Sequence, residues 1–287
     1  MQKSKLDQFF SIPAAAVLMA VVCNVLWGSA FPFIKLGYRL FAIDSADTAS
    51  ILCFAGVRFM MGAALVWLAG LALNHRPLPM PHGKTLASAC GLGLWQTAAQ
   101  YFFYYSAVAL LTGAMGGILN STQSFMGVIL AHFLYGKADR MTPRKALGCA
   151  LGFGGVLIAT LGNHGSGSAK GMAFMLIASA IFASAGPWNK AVTQYADSFS
   201  VCVLNLGVGG LVLAVMGFAM GGGLHPESAA GIPVLLFLAF ISGAGYVIWA
   251  LLMKNNPVSR IAVFGLIIPV MNVLLSALLN GEPLFEW

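Results

Sequence analysis

Long apolar runs separated by short polar segments are the dominant pattern of this 287-residue chain. A helix needs about 20 predominantly apolar residues to cross the roughly 30 Å hydrocarbon core of a bilayer. The polar segments are too short to hold a soluble domain, and only residues 36–48 form a loop of any size. The pattern therefore predicts nine membrane-spanning helices, in the runs 14–35, 51–73, 86–106, 113–135, 146–162, 171–190, 200–220, 230–252 and 261–280.

Composition also indicates an all-α integral membrane protein. The chain is 59% hydrophobic and 8% charged, with a mean hydropathy of +0.86, whereas a soluble domain carries roughly 25% charged residues. The net charge of +7 comes from basic residues scattered singly between apolar runs, so it indicates membrane topology and no nucleic-acid partner. The first run extends from Pro13 past Ile34, which is too long for a signal peptide. We interpret it as a retained span.

The five cysteines lie within apolar runs and show no paired spacing. Disulfide frameworks and zinc sites both require characteristic cysteine spacings. We therefore expect these residues to serve in packing, and we expect no metal site, no cofactor and no catalytic residue. They are Cys23, Cys53, Cys90, Cys149 and Cys202.

The distribution of basic residues predicts the orientation in the membrane. Cytoplasmic loops of membrane proteins carry an excess of Lys and Arg. With a cytoplasmic N-terminus, eleven of the fifteen basic residues fall on the inner side and three on the outer side, while Arg58 lies within the second run. We predict a multi-pass protein of the plasma membrane, the inner membrane of a bacterium, whose N-terminus is cytoplasmic.

A short stretch of the first run returns in the sixth. Residues 27–35 read WGSAFPFIK and residues 182–190 read FASAGPWNK, with Ser, Ala, Pro and Lys at the same offsets. A second correspondence aligns residues 101–137 with residues 246–282 without a gap. The repeat unit therefore comprises five spans, and an odd number of crossings inverts the second copy. Inverted repeats of this kind are common in secondary transporters.

Three motifs in the apolar runs carry a family resemblance. They are residues 27–31 (WGSAF), residues 55–59 (AGVRF), and Ile268-Pro269-Val270 followed by Gly281-Glu282-Pro283. Their order and spacing resemble the EamA-type repeats of the drug/metabolite transporter superfamily, over nearly the whole chain. The resemblance implies a bundle of ten helices in two inverted five-helix halves, which exports or exchanges small metabolites such as amino acids.

The chain departs from that family in two places. Ser124 and Lys137 stand where the second half keeps Pro269 and Glu282. The sequence also ends at Trp287, directly after the ninth run. We expect that a tenth span has been lost by truncation, and the alternative is a nine-span protein with an external C-terminus. The predicted repeats are residues 1–162, with spans one to five, and residues 171–287, with spans six to nine.

Polar and aromatic residues within the apolar runs are the candidates for substrate binding. Amides and phenols that face lipid would lack hydrogen-bond partners, so their faces are expected to point into the protein or a wet cavity. Interhelical hydrogen bonds are the alternative role for the amides, and an aromatic belt is the alternative for the tryptophans. The set is Asn24, Trp27, Gln96, Gln100, Tyr101, Tyr104, Asn120, Gln123, Trp188, Tyr246, Trp249 and Asn272.

Three basic residues are candidates for gating or charge recognition. Arg58 either binds a substrate carboxylate through its bidentate fork, or has a structural or gating role at the outer interface, paired with Asp44 or Asp47. Lys35 and Lys190 end the two copies of the repeated stretch, on opposite sides of the predicted membrane. They either gate the transport path or anchor the ends of their helices.

His132 and three prolines complete the set of candidates. A histidine titrates near neutrality in its ordinary form, but a bond to a neighbour at the inner interface is the simpler role for His132. Pro32, Pro187 and Pro269 lie at matched depths in their runs. A proline removes a backbone donor and kinks a helix, so these positions are either hinges or ordinary membrane-helix prolines.

A cavity rich in tryptophan, tyrosine and amides suits a small zwitterionic or neutral organic molecule. None of the eight acidic residues lies in the middle of a run, so a carboxylate relay for protons or sodium is not visible. Proton coupling, counter-substrate coupling and a homodimer all stay open. We predict a secondary transporter in the lipid bilayer that exports or exchanges amino acids or related metabolites by alternating access. A channel or facilitator for a neutral solute stays open.

Two other classes of protein compete with a transporter. An intramembrane enzyme such as a serine hydrolase is opposed by the lack of a Gly-x-Ser-x-Gly elbow, a zinc motif or a clustered pair of acids. A non-transporting assembly subunit is the remaining alternative.

Overall fold

The structure is a computed structural model that describes residues 4–162 and 168–280. In this part of the chain the fold is all-helical, with no strand. The helices are α1 (Lys5–Ser11), α2 (Pro13–Leu40), α3 (Thr48–Asn74), α4 (Gly83–Leu92), α5 (Gln100–Leu110), α6 (Gly113–Asn120), α7 (Thr122–Tyr135), α8 (Pro143–Gly162), α9 (Ala169–Thr193), α10 (Ser198–Ala219), α11 (Gly231–Asn255), α12 (Val258–Ala262) and α13 (Ile267–Asn280). A π-helical segment, Gly93–Ala99, joins α4 to α5, and 3-10 segments cover Gly136–Asp139 and Val263–Leu266.

Six helices in the described ranges are long and apolar enough to cross a membrane. They are Pro13–Leu40, Thr48–Leu73, Ala169–Thr193, Ser198–Ala219, Gly231–Asn255 and Val258–Leu279. The third predicted span is divided by the π-helical segment, and the fourth is divided at Ser121 between α6 and α7. The fifth predicted span falls on α8. The multi-pass, all-helical class is confirmed, whereas the count of nine spans stays a prediction.

Acidic N-caps begin the second and seventh predicted spans. The carboxylate of Asp47 accepts a hydrogen bond from the backbone N–H of Ser50, at 3.0 Å. The carboxylate of Asp197 accepts the equivalent bond from Ser200, at 3.1 Å. A side-chain cap of this kind satisfies one of the orphan donors of the first helical turn. Asp47 is therefore the N-cap of α3.

The centre of the fold is the pair α3 and α10, which lie along one another at close range. A Cβ atom at Gly56 would overlap the backbone of Ala214, and one at Gly217 would lie 2.5 Å from the backbone nitrogen of Cys53. Small residues at such contacts let two backbones approach closely, which is how helices pack where no hydrophobic effect drives them together.

The remaining long helices pack around this pair in two groups. Helix α2 packs against α11 and α13, and helix α9 packs against α5, α6 and α7. Helix α11 also contacts α3, while the π-helical segment contacts α10. These contacts bring α2 and α9 together in the interior, where Trp27 and Phe182 meet with ring centroids 5.5 Å apart.

The three prolines lie in different helical contexts. Pro32 and Pro187 lie inside α2 and α9, which continue through them. Pro269 lies in the first turn of α13, directly after the 3-10 segment. The helix therefore changes its winding at only one of the three, and a hinge role for these residues stays a prediction.

Candidate functional site

Two small voids lie in the interior of the helical bundle. We call the first the Arg58 void, in which about 30 Å³ is open to the centre of a water molecule. The second, the Asn24 void, offers about 20 Å³. The first is lined by Trp27, Ala30, Ile34, Arg58, Gln100, Tyr101, Tyr104, Asn120, Gln123, Phe182 and Ile268. The second is lined by Asn24, Gln123, Ser124, Gly127, Phe182, Ala183, Gly186, Trp249, Val258, Ala262 and Gly265.

Both voids are small. A cavity needs roughly 10–15 Å³ by this measure to hold one water molecule, so each void has room for one or two. Gln123 and Phe182 line both voids. The two spaces are therefore neighbours within one central region, and a solute of amino-acid size requires this region to expand.

An aromatic layer separates the two voids. It consists of Trp27, Phe182 and Trp249, whose ring centroids lie 5.3–5.5 Å from one another. Such tilted and edge-to-face contacts are favourable arrangements for aromatic pairs. Trp27 lines only the Arg58 void and Trp249 only the Asn24 void, so movement of these rings would join the two spaces.

Arg58 is the charged residue of the site and is 2% exposed. Its Nε donates to the backbone oxygen of Leu238, at 3.1 Å, and to Oγ of Ser242, at 2.9 Å. Its Nη1 donates to the hydroxyl of Tyr105, at 2.6 Å. The Nη2 group makes no hydrogen bond within residues 4–162 and 168–280. The guanidinium is thus fixed on one side, while donors remain for a further partner.

The charge of Arg58 is not balanced by a carboxylate in the described part of the chain. The pairing with Asp44 or Asp47 that the sequence left open is not formed there, because Asp47 caps α3 and Asp44 accepts from the backbone of Ala46. Nor does Arg58 extend to the interface, since it is buried. A buried cation without a counter-ion is costly, so the Arg58 void favours an anionic group.

Several polar atoms around the voids also lack partners within the described ranges. In the Arg58 void these are Nε1 of Trp27 and Oε1 of Gln100. In the Asn24 void they are Oδ1 of Asn24, Oγ of Ser124 and Nε1 of Trp249. Buried polar groups are nearly always satisfied in native proteins. The indole nitrogen of Trp27 lies against the backbone of Gly245, where a Cβ would be 2.3 Å from it, so these five atoms do not all point into the voids.

Three predicted site residues lie behind the void walls. Gln96 accepts a hydrogen bond from the amide of Asn205, at 2.9 Å, and Asn205 accepts one from Thr97, at 2.7 Å. The hydroxyl of Tyr246 lies 3.4 Å from Oγ1 of Thr97, and its ring meets that of Trp27 edge to face, with centroids 6.0 Å apart. Asn272 is fully buried beside Gly117. The contacts of Gln96 fit the interhelical role that the sequence gave as the alternative for the amides, whereas neither polar atom of the Asn272 amide has a hydrogen-bond partner in the described ranges.

Other predicted residues lie away from both voids. The indole of Trp188 donates to Ser88 at 2.9 Å, between α9 and α4. His132 accepts from the backbone N–H of Met141 through Nδ1, at 3.2 Å. The ammonium group of Lys35 lies 5.6 Å from the centre of the Phe31 ring. The structure therefore does not bring these residues together with Arg58.

Polar contacts close the end of the bundle beyond the Asn24 void. Lys190 donates to the backbone oxygen of Asn256, at 2.6 Å. The carboxylate of Asp139 accepts from Lys145 at 2.9 Å, from the backbone N–H of Ser259 at 2.9 Å, and from the Ser259 hydroxyl. We call these five residues the closure network. Val258 lies next to Ser259 and lines the Asn24 void, so the network lies beside that void.

The Asp139 carboxylate is held in its charged form. Burial raises its pKa, but the hydrogen bonds from Ser259 and Lys145 outweigh burial and leave the pKa below its ordinary value. The closure network is therefore intact at neutral pH.

Some residues of the site were absent from the predicted set. Phe182 is apolar, but it occupies the position of Trp27 in the repeated stretch, so the repeat contained the signal for it. Ser242 and Tyr105, which hold Arg58, have no such signal. Their contacts join helices that are distant in sequence.

The described residues thus form a multi-pass, all-helical membrane protein with two small voids inside it. The chain belongs to the EamA-like transporter family, whose sequence profile matches residues 14–161 and 169–286. This membership confirms the resemblance that three sequence motifs indicated. A family of transporters implies membrane embedding and a small-molecule substrate.

Individual relatives are similar over most of their length. A "Probable amino-acid metabolite efflux pump" of Escherichia coli (strain K12) is 26% identical over 282 residues, covering 93% of this chain and 87% of the relative. An "Uncharacterized transporter YvbV" of Bacillus subtilis (strain 168) is 24% identical, covering 94% and 85%. A solved structure described as "Crystal structure of protein" has a TM-score of 0.72 at 18% identity, over 94% of this chain and 89% of that chain. The last match shows the shared fold.

Proposed function

We propose that this protein is a secondary transporter that exports or exchanges amino acids or related small metabolites by alternating access. The observation that carries the proposal is the buried Arg58, which lines one of two adjoining voids and keeps donors that its three hydrogen bonds do not use. Two relatives carry transport names, and one of these names amino-acid metabolites. That similarity supports the substrate class proposed here.

The Arg58 void offers a separate partner for each part of an amino acid. The unused donors of Arg58 suit the carboxylate, because guanidinium–carboxylate pairs form strong, charge-assisted hydrogen bonds. The described residues that line the void include no acidic side chain. The amino group would instead meet Oε1 of Gln100 and the faces of Trp27 and Tyr101, which can bind a cation through their π-systems.

Packing supports two halves related by an inverted repeat. Under that repeat α2 corresponds to α9, and α3 to α10. The contacts of α2 with α11 and α13 then match the contacts of α9 with α5, and with α6 and α7. At the level of side chains, Arg58 bonds to Ser242, and Asn205 bonds to Thr97. Thr97 and Ser242 each lie four residues before the aligned segments 101–137 and 246–282, at the same offset.

This arrangement supports the proposal of alternating access. The aromatic layer lies where α2 and α9 meet, and the closure network covers one end. Opening of the network would expose the Asn24 void, while displacement of Trp27 and Phe182 would connect it to the Arg58 void. We propose that this end faces the cytoplasm of a bacterial cell, because the basic loops collect there. Nine spans, with Lys35 at the outer end of α2, complete the proposed topology.

The proposed coupling is exchange against a second solute. Arg58 is the one charged side chain among the described residues lining the voids, and arginine does not deprotonate in proteins. The described lining thus offers neither a carboxylate nor a histidine as a proton carrier. An intramembrane hydrolase gains no support from the lining either, because Ser124 has no histidine or carboxylate beside it among the residues around the Asn24 void.

Counterflow in proteoliposomes tests the proposal. Purified protein is reconstituted with unlabelled amino acid inside, and the uptake of the labelled amino acid is measured over a panel of side chains. We expect uptake that Tyr104→Phe reduces, because the change removes a hydroxyl from the Arg58 void. The matched control is Tyr195→Phe, since Tyr195 is 78% exposed and lies away from both voids. Absence of counterflow for amino acids and for a broad metabolite panel would refute the transport proposal.

A further inference from the structure

A further cavity lies apart from the two voids, at the lateral surface of the bundle. It is an apolar groove of about 300 Å³ between α8 and the 3-10 segment before α13. Phe125 and Val128 of α7 form its floor, and Gly148 and Cys149 of α8 form one wall. The opposite wall is Val263 and Leu266. Arg144 and Lys145 stand at one end of the groove.

A larger basic pocket of about 670 Å³ adjoins this end. It shares Lys145 and Val263 with the groove and adds Lys137, Arg140 and Arg260. The acidic residue of this pocket, Asp139, is occupied by Lys145 and Ser259. Four cations have no ion-pair partner within the described ranges: Lys137, Arg140, Arg144 and Arg260. Their charge is thus available to a ligand.

A pocket at the same end of the bundle provides a contrast. It contains Arg76 and Lys254, but also Asp7 and Asp197. Lys254 pairs with Asp7 at 3.1 Å. Basic residues there are balanced by acids, and no excess charge remains. Of these two pockets, only the one at the mouth of the apolar groove has more basic than acidic residues.

We propose that the groove and the basic pocket together bind one anionic phospholipid. An acyl chain lies along Val128, Gly148 and Leu266, and the headgroup phosphate lies among Arg140, Arg144 and Arg260. Basic pockets between membrane helices on the cytoplasmic side recognise anionic headgroups. The apolar groove continuous with the pocket selects a lipid over a soluble phosphate, because a free anion would use only the pocket.

The structure allows one variant for each half of this site. Arg140→Gln with Arg144→Gln removes charge from the headgroup pocket and leaves Lys145 in the closure network. Gly148→Met fills the groove, and a Cβ at Gly148 meets no atom within 4 Å, so the change does not disturb the backbone. The matched controls are Arg76→Gln with Lys84→Gln, which removes two exposed cations elsewhere, and Gly155→Met, which is equally unobstructed on the same helix.

Native mass spectrometry of the purified protein titrated with phosphatidylglycerol or phosphatidylcholine measures the binding directly. We expect wild type to retain phosphatidylglycerol preferentially. We expect the Arg140/Arg144 variant to lose about 30-fold in affinity for it, the effect of two cations on an anionic lipid, with phosphatidylcholine binding unchanged. We expect Gly148→Met to weaken the binding of both lipids at this site, and the two control variants to bind both lipids as wild type does. Equal binding of both lipids by wild type, or equal losses in the control variants, would overturn the proposal. Inorganic phosphate that displaces phosphatidylglycerol completely would also overturn it, because it assigns binding to the pocket alone. The readout is independent of transport.

Discussion

Replacement of Arg58 by glutamine separates its two roles, recognition of a carboxylate and support of the bundle. Glutamine keeps a polar side chain at the void but removes the charge and the fork. In the structure the guanidinium donates to Leu238, Ser242 and Tyr105. The substitution therefore removes structural hydrogen bonds together with the proposed substrate contact, and the two losses need different measurements.

The magnitudes of these two losses differ. Each lost hydrogen bond to the buried cation costs about 1–3 kcal/mol, but the substitution also removes the cost of burying an unpaired charge, which is several kcal/mol. We therefore expect a net change in stability of about 2 kcal/mol or less. A carboxylate in the void loses its charged partner, which costs about 2–4 kcal/mol, or roughly 30- to 1,000-fold in affinity.

Comparing the binding of an amino acid with that of its carboxamide analogue distinguishes the loss of carboxylate recognition from the loss of structural support. Affinities are measured in detergent by scintillation proximity, and stability is measured by thermal denaturation. We expect Arg58→Gln to lose affinity for the acid by the factor above and for the amide by about tenfold or less. Arg76→Gln is the matched control, because Arg76 is exposed outside the bundle. Equal losses for the acid and the amide would refute carboxylate recognition by Arg58.

Two further predictions concern the scaffold and the closure network. The new methyl group of Gly56→Ala would overlap the backbone of Ala214, so we expect this variant to be destabilised by about 1–3 kcal/mol. The methyl group of Gly154→Ala meets open space, so we expect that variant to be stabilised by about 0.5–1 kcal/mol. Thermal denaturation of both variants checks the opposite signs. Asp139 has a lowered pKa in the folded protein, so its contribution to stability is present above the unfolded pKa and is lost as the pH falls through the folded pKa. The difference in melting temperature between wild type and Asp139→Asn is therefore expected to stay constant from about pH 8 to pH 5 and to shrink below about pH 4; a difference that shrinks near pH 6 would contradict this assignment.

Sequence reasoning identified residues of the site where polarity stands out against an apolar run. Arg58, Gln100 and Asn120 are of this kind, and all three line the Arg58 void. Phe182 is hidden by its apolar character, although its position in the repeat marks it. Gln96 lies one helical turn from Gln100, yet it bonds to Asn205 behind the wall. The difference depends on how α10 packs, which local periodicity does not encode.

The long helices of the fold were predictable from the sequence, whereas the breaks within two predicted spans were not. Hydropathy locates the long helices because a membrane span needs a continuous apolar run. The breaks within the third and fourth predicted spans were not predicted, because each lies inside one continuous run that is long enough to span a membrane. Helix α10 approaches the start of the π-helical segment closely, since a Cβ at Gly93 would lie 2.8 Å from the backbone oxygen of Asn205. A contact of this kind joins residues that are distant in sequence.

The short helix α1 also escaped prediction. Its sequence is too short and too polar for a span. Asp7 on this helix accepts hydrogen bonds from Lys254 and Asn255, each at 3.1 Å. Burial raises the pKa of the Asp7 carboxyl, but these bonds hold it below its ordinary value. The helix is thus fixed to the end of α11 by contacts that join residues about 250 positions apart.

A reversible disulfide bond across the closure network tests directly whether the transport path opens at this end of the bundle. Asp139 and Ser259 are in direct hydrogen-bond contact, so cysteines at these two positions, in a background without the native cysteines, are placed to form a disulfide. We expect counterflow of the labelled amino acid to stop when the disulfide forms and to return when it is reduced. Undiminished counterflow through a fully disulfide-bonded protein would contradict a path that opens at this end of the bundle.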